Sequence, residues 1–137
     1  MPDTFTTDVF LRDFNVMYAK LYDGVRHDSG GWKWFTDLMI NHWQGLRIDP
    51  ATKVIVYSDS LNDERAIEIQ KYAAGKVLPR FGIGTSFAND VGHTPLNMVI
   101  KLTKCDGRPA VKLSDSPGKA LGLPEAVSHC KYDLRLQ

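Results

Sequence analysis

The chain has 137 residues, 43% of them hydrophobic and 24% charged, with a formal net charge of +1. That length suits one domain with a core of its own, and the composition is that of a globular rather than a disordered chain. The near-neutral balance argues against nucleic acid as a partner, and no run approaches the roughly 18 apolar residues of a membrane helix. Met1-Pro2-Asp3-Thr4 lacks the basic-then-apolar pattern of a signal peptide, so a cytoplasmic protein is expected.

Residues 7–20 place Val9, Phe10, Phe14 and Met17 near helical spacing, and one helix is expected there. Leu21 to Arg26 reads as a short strand, followed by the polar loop His27-Asp28-Ser29-Gly30-Gly31. Trp32, Phe35, Met39, Trp43 and Leu46 recur at spacings of three and four, giving a helix whose tryptophans belong to the core. Ile48-Asp49-Pro50 is a connecting turn. Lys53 to Tyr57 is the clearest strand, and its apolar run suits a parallel strand covered on both faces. Ser58-Asp59-Ser60-Leu61 ends it. Asn62 or Ser60 can cap a helix running to about Ala74, where Gly75 provides a stop.

A further strand is expected over about Lys76 to Ile83, leading into Gly82-Ile83-Gly84-Thr85-Ser86. The period then changes. Met98, Ile100 and Leu102 alternate with Val99, Lys101 and Thr103, Asp106-Gly107 is a strong hairpin turn, and Ala110 to Leu113 returns. Beyond Pro117-Gly118 the pattern fades and a poorly ordered tail is expected. The layout is α/β: a partial barrel over residues 1–96, a hairpin and loop over 97–119, and a tail over 120–137. An eight-stranded α/β barrel needs about 250 residues, so only part of one fits here.

Cys105 and Cys130 are distant and match no metal spacing, and the four histidines show no close pairing. Two reduced thiols are expected, and no metal ligands are assigned.

Three loops follow the three parallel strands, and binding sites in α/β sheets form at the carboxyl ends of strands. One rim therefore gathers Arg26 to Gly31, Ser58 to Leu61 and Gly82 to Ser86. These residue types suit a phosphorylated sugar. Gly82 and Gly84 let backbone approach an anion, with Thr85 as a further donor. Asp28 and Asp59 suit ribose hydroxyls or a magnesium ion on pyrophosphate. Arg26 can pair with a carboxylate or phosphate, or lie on an aromatic ring. Each part also has a plain structural reading: Gly-x-Gly as a turn, Ser58-Asp59-Ser60 as a helix cap, Asp28-Ser29-Gly30 as a βα turn, and His27 as a structural hydrogen bonder.

At these loops the sequence resembles the nicotinate phosphoribosyltransferase family. The resemblance rests on Asp3-Thr4-Phe5 with Thr7-Asp8-Val9-Phe10, Gly24-Val25-Arg26-His27-Asp28-Ser29-Gly30, Tyr57-Ser58-Asp59-Ser60-Leu61 and Phe81-Gly82-Ile83-Gly84-Thr85 with Asn89-Asp90. It continues through Pro95-Leu96-Asn97-Met98-Val99-Ile100-Lys101-Leu102 and Lys112-Leu113-Ser114-Asp115-Ser116-Pro117-Gly118-Lys119. The matches are colinear over about residues 3–119. They imply part of an irregular α/β barrel of the type II phosphoribosyltransferase kind, followed by the antiparallel hairpin.

The implied reaction joins nicotinate to phosphoribosyl pyrophosphate, coupled to ATP hydrolysis and dependent on magnesium. The resemblance places Arg26 at the nicotinate ring or its carboxylate and Asp28 on ribose hydroxyls, both at the reacting centre. Ser29, Ser58 and Asp59 line the same pocket, and Gly82, Gly84 and Thr85 hold the 5′-phosphate. It also implies a homo-oligomer or a partner chain. Two departures stand out. Gly31 occupies a position that is usually acidic in the family. The family's N-terminal half, with its ATP-phosphorylated histidine, has no counterpart among the four histidines here, and Met1 opens within a family motif. A fragment, a truncated product or one piece of a split enzyme is therefore expected. The competing readings are a self-associating phosphate-sugar binding module without catalysis, and a related transferase acting on nicotinamide.

Overall fold

The computed structural model describes every residue except Asp90, Pro95, Asn97, Pro117 and Gln137. Those members of the resemblance motifs lie outside the described residues. The chain is a mixed α/β fold with a three-stranded parallel sheet and a two-stranded antiparallel one. In the parallel sheet β1 (Gly24–His27), β2 (Val54–Tyr57) and β3 (Leu78–Phe81) lie in sequence order, so β1 and β3 are its edges. The sheet is open, and this chain does not close it into a barrel.

The expected helix over 7–20 is two helices, α1 (Thr7–Asp13) and α2 (Val16–Leu21). The break is made by Asn15, whose side-chain oxygen accepts from the backbone N–H groups of Met17 and Tyr18 at 3.0 and 3.4 Å. An asparagine that caps a new helix competes with continuing the old one. The strand expected from Leu21 starts only at Gly24, because Leu21 still belongs to α2.

Two helices link the strands, α3 (Trp32–Gly45) and α4 (Asp63–Ala73). Asn62 is the cap of α4, accepting from the Arg65 N–H at 2.9 Å, and Gly75 takes φ +74° just past the helix end. Side chains alternate across a strand. Val25, Ile55 and Tyr57 therefore face the helices and join Phe35, Met39 and Trp43 of α3 and Ile69 and Ala73 of α4 in one buried cluster. Tyr57 is a core residue: its hydroxyl meets Thr36 Oγ1 at 2.6 Å, and burial pushes the phenol up to about 12 despite that contact. Trp34 of α3, by contrast, is exposed.

The opposite sheet face differs from expectation. Val54 and Val56 are only half buried, so β2 is covered on one face and not both. Among the described residues nothing packs fully over that side. A cleft of about 970 Å³ lies there, lined by Phe5, Phe10, Phe14, Tyr18, Arg26 and Val56 among others.

After β3 the chain makes a single helical turn, α5 (Thr85–Ala88), and the described residues from there to Thr103 form no helix or strand. The hairpin is present but shorter than the alternation suggested: β4 (Lys104–Cys105) pairs with β5 (Arg108–Pro109) around Asp106 at φ +48° and Gly107 at φ +74°. Both central residues have positive φ, as a type I′ turn requires. Met98 to Leu102 pairs with no strand among the described residues, and Lys112 pairs instead with Leu121. Residues 124–133, expected to lie in a poorly ordered tail, form α6 (Pro124–Asp133), started by a proline at its first position. None of its residues is fully buried, and its half-buried apolar residues are only Ala126, Val127 and Cys130, too short a stripe to stand out in the sequence. Cys105 and Cys130 are free thiols. Among the described residues no helix is long and apolar enough to cross a membrane.

Candidate functional site

The parallel register aligns His27, Tyr57 and Phe81 as the last row of the sheet, with Arg26, Val56 and Arg80 in the row before. The ladder continues one residue further: the Ser58 N–H donates to the His27 carbonyl at 3.0 Å, and the Gly82 N–H to the Tyr57 carbonyl at 2.8 Å. The three loops therefore leave the sheet side by side, held together by backbone hydrogen bonds. A methyl group at Gly82 would lie 3.3 Å from Ser58 Cβ, which shows how closely the second and third loops approach.

Asp28 is the hub of the rim. Arg26 Nη2 donates to its Oδ1 at 2.7 Å, and the Ser58 hydroxyl lies 3.2 Å from the same oxygen. The Ser58 hydroxyl is also 2.9 Å from the His27 carbonyl, so its one proton is shared between the two. Burial raises the Asp28 carboxyl, but Arg26, Ser58 and the charge of Lys112 outweigh it and hold the group below the usual carboxylate range. Asp28 is thus a carboxylate with Oδ1 engaged, on a part-exposed rim. Asp59, next in the chain after Ser58, is half buried, and its Oδ1 accepts from the Ser60 hydroxyl at 3.2 Å.

Ser29 lies beneath the rim. Its hydroxyl donates to Asp3 Oδ2 at 3.0 Å, and Lys112 Nζ reaches the same oxygen at 3.5 Å. The other Asp3 oxygen is buried without a hydrogen-bond partner among the described residues. The loop after β1 is therefore tied both to the N-terminal segment and to residue 112. Gly84 and Thr85 stand apart from this network. A methyl group at Gly84 would meet nothing within 4 Å, so the backbone there faces open space.

His27 is buried between the rings of Phe35 and Tyr57, with centroids 5.1 and 6.0 Å away. Its Nε2 has no hydrogen-bond partner among the described residues. Burial lowers its pKa below 6.5, against the charges of Asp59, Asp28 and Asp3 and a backbone hydrogen bond at Gly30. The folded protein therefore holds His27 neutral where the unfolded chain takes up a proton. Stability is expected to fall as pH drops below about 6.5, the unfolded value. Guanidinium unfolding midpoints at pH 7.5 and 5.5 measure this, and His27→Gln should shrink the difference. An unchanged difference would show that other groups set it.

The model of the nicotinate phosphoribosyltransferase (NAPRTase) family matches residues 1–136. The chain belongs to that family. It is 49% identical over 136 residues to a nicotinate phosphoribosyltransferase of Desulforapulum autotrophicum, covering 95% of this chain and 35% of that protein. It is 48% identical over 121 residues to one from Neisseria gonorrhoeae, covering 88% and 30%. The solved nicotinate phosphoribosyltransferase of Vibrio cholerae superposes with a TM-score of 0.95 at 44% identity, covering 98% of this chain and 34% of that one. The Porphyromonas gingivalis enzyme gives a TM-score of 0.91 at 45% identity, covering 98% and 36%. The chain spans about a third of the length of the curated relatives it matches.

Within this member of the NAPRTase family, the residues singled out from sequence divide into three sets. Arg26, Asp28 and Ser58 are directly linked, and Asp59 follows them in the chain. Ser29 is turned into the Asp3 contact. Gly82, Gly84 and Thr85 sit on the neighbouring loop. Sequence reasoning assigned no role to Asp3 or Lys112, although both lie in the motifs that carry the family resemblance. Their signal was a charged residue in each of two motifs far apart in sequence, and nothing local showed that the two meet.

Proposed function

We propose that this chain supplies the phosphoribosyl-binding rim of a nicotinate phosphoribosyltransferase. The reaction would join nicotinate to phosphoribosyl pyrophosphate, giving nicotinate mononucleotide and pyrophosphate in NAD biosynthesis or salvage. The observation that supports this reading most is the Arg26–Asp28–Ser58 linkage, which brings the ends of β1 and β2 together beside the Gly82–Thr85 loop. The Vibrio cholerae and Porphyromonas gingivalis neighbours carry that enzyme's name, and the activity is a property of proteins about three times this length. The three parallel strands would form part of an irregular α/β barrel, with the open face of the sheet turned inward.

In this reading the nicotinate ring nitrogen attacks C1 of ribose as pyrophosphate leaves. The transition state has oxocarbenium character, so positioning and charge stabilisation supply the rate and no covalent nucleophile is needed. Arg26 meets the ring or its carboxylate. Asp28 accepts from ribose hydroxyls with the oxygen that Arg26 and Ser58 leave open. Ser58 and Asp59 line the pocket, and Ser29 holds the loop through Asp3. The backbone around Gly82 and Gly84, with the Thr85 hydroxyl, receives the 5′-phosphate.

Magnesium would arrive on the pyrophosphate, and Asp59 or Asp28 would supply the protein's oxygen ligand. Among the described residues no group of three or more His, Cys, Asp or Glu could hold a metal alone. A magnesium ion that keeps waters and phosphate oxygens needs only one or two carboxylates, so the rim fits that use. ATP belongs to the proposed activity through the family, and no residue of this chain is assigned to it.

Calorimetry of the purified chain with magnesium and phosphoribosyl pyrophosphate tests the reading. Saturable binding is expected, weakened about tenfold or more by Gly84→Val, whose side chain would fill the space meant for phosphate. A Cβ at this position meets nothing within 4 Å, and circular dichroism of the variant checks that lost binding is not lost fold. No binding by the unaltered chain would overturn the proposal that the rim is preformed.

The reading includes a homo-oligomer or a partner chain. Leu96, Met98 and Ile100 are 96%, 82% and 88% exposed, and among the described residues both edges of the parallel sheet are unpaired. Exposed large apolar residues and unpaired sheet edges both favour association. Sedimentation is expected to show species larger than 15.4 kDa, and a clean monomer at working concentration would count against it.

A further inference from the structure

Across the three parallel strands the only side chains with a fixed charge are Arg26 and Arg80. The register puts them in one row, on either side of Val56. Their row faces the open side of the sheet, away from α3 and α4, and both arginines are exposed. Adjacent strands lie about 4.8 Å apart, so the two Cα atoms are on the order of 10 Å apart, within joint reach of two arginine side chains.

The two differ in charge state. Arg26 is neutralised by Asp28 at 2.7 Å. Among the described residues no carboxylate lies within ion-pair distance of Arg80. Its Nη1 donates to the carbonyl of its own neighbour Pro79 at 2.9 Å, which fixes one corner of the guanidinium and leaves the remaining N–H donors open. Two residues later the chain enters the loop of Gly82 and Gly84.

We infer that Arg80 is a second anion-binding residue of this rim, donating to the 5′-phosphate of the phosphorylated sugar from the open face of the sheet. The inference rests on the phosphoribosyl reading above. A guanidinium fork with no carboxylate partner among the described residues, beside a glycine loop whose backbone faces open space, is suited to phosphate oxygens in a way an ammonium is not. The simpler role for such a residue is a charge that protects an exposed sheet edge. That role would be served equally by lysine, and it would leave ligand affinity unchanged.

Arg80→Gln and Arg80→Lys separate the two, with circular dichroism to verify the fold. The probes are phosphoribosyl pyrophosphate with magnesium, ribose 5-phosphate and inorganic pyrophosphate, each titrated by calorimetry. For Arg80→Gln, phosphoribosyl pyrophosphate and ribose 5-phosphate are expected to bind about tenfold more weakly, the loss of one charge-assisted hydrogen bond. Arg80→Lys should recover part of that loss, and pyrophosphate should be unaffected. If the unaltered chain binds phosphoribosyl pyrophosphate and Arg80→Gln binds it equally well, the role of Arg80 is overturned while the rim stands. A loss confined to pyrophosphate would overturn the assignment to the sugar-phosphate end. Absence of binding by the unaltered chain would overturn both.

Discussion

Gly24→Ala is expected to destabilise the chain by about 3 kcal/mol, at the upper end of what an overpacked site usually costs. Gly24 opens β1 opposite Val54. A methyl group built on it would lie 1.9 Å from the Val54 carbonyl oxygen and 2.6 Å from its carbon. Those are backbone atoms of the central strand, so no side chain can rotate away, and relief requires β1 to move off β2. The displaced strand would carry Arg26 and Asp28 with it. Gly31→Ala is the control: its methyl would meet only Trp34 Cβ at 3.8 Å, an ordinary contact. Denaturant midpoints of the two variants should differ clearly. Equal midpoints would mean that the backbones are not so close as described.

Asp28→Asn should have the largest effect on ligand affinity. The substitution keeps shape and removes charge. It takes the partner from Arg26 and turns one acceptor oxygen into a donor facing the ribose hydroxyls. Hydrogen bonds to charged groups contribute about 1.5–3 kcal/mol each, so two lost ribose contacts amount to about a hundredfold or more in affinity for phosphoribosyl pyrophosphate. Asp37→Asn on α3 is the comparison, since Asp37 accepts from the Tyr72 hydroxyl away from the rim. Affinity retained in Asp28→Asn would remove Asp28 from the sugar site, whatever becomes of Arg80.

What could be read from the sequence depended on how local its cause was. The cap at Asn62, the stop at Gly75 and the Asp106-Gly107 turn are set by one or two residues, and each is where expected. The parallel strands were legible because their apolar runs alternate with amphipathic helices. The break at Asn15 was not, since the apolar spacing over 7–20 runs on unbroken and only a side-chain hydrogen bond decides the matter. Strand lengths failed for a related reason. Alternation over Met98 to Leu102 says that a strand could form, but pairing needs a neighbour, and among the described residues it has none. The rim was legible as an arrangement because parallel topology dictates where loops emerge. The Asp3–Ser29 and Asp3–Lys112 contacts were not, because no rule of spacing connects residues so far apart.

Those distant contacts have a bearing on how the molecule acquires its shape. The Thr7 N–H and hydroxyl both reach Asp115, 108 positions later, and Lys112 reaches back 109 to Asp3. Leu113 also donates to the carbonyl of Thr4. Closing so long a loop is a late and entropically costly event, whereas the βαβ units join near neighbours and can assemble as the chain leaves the ribosome. The sheet would then precede the brace on the loop after β1. Ser29 can meet Asp3 early, 26 positions apart, but the brace from Lys112 onto the same oxygen forms only after residue 112 has been made.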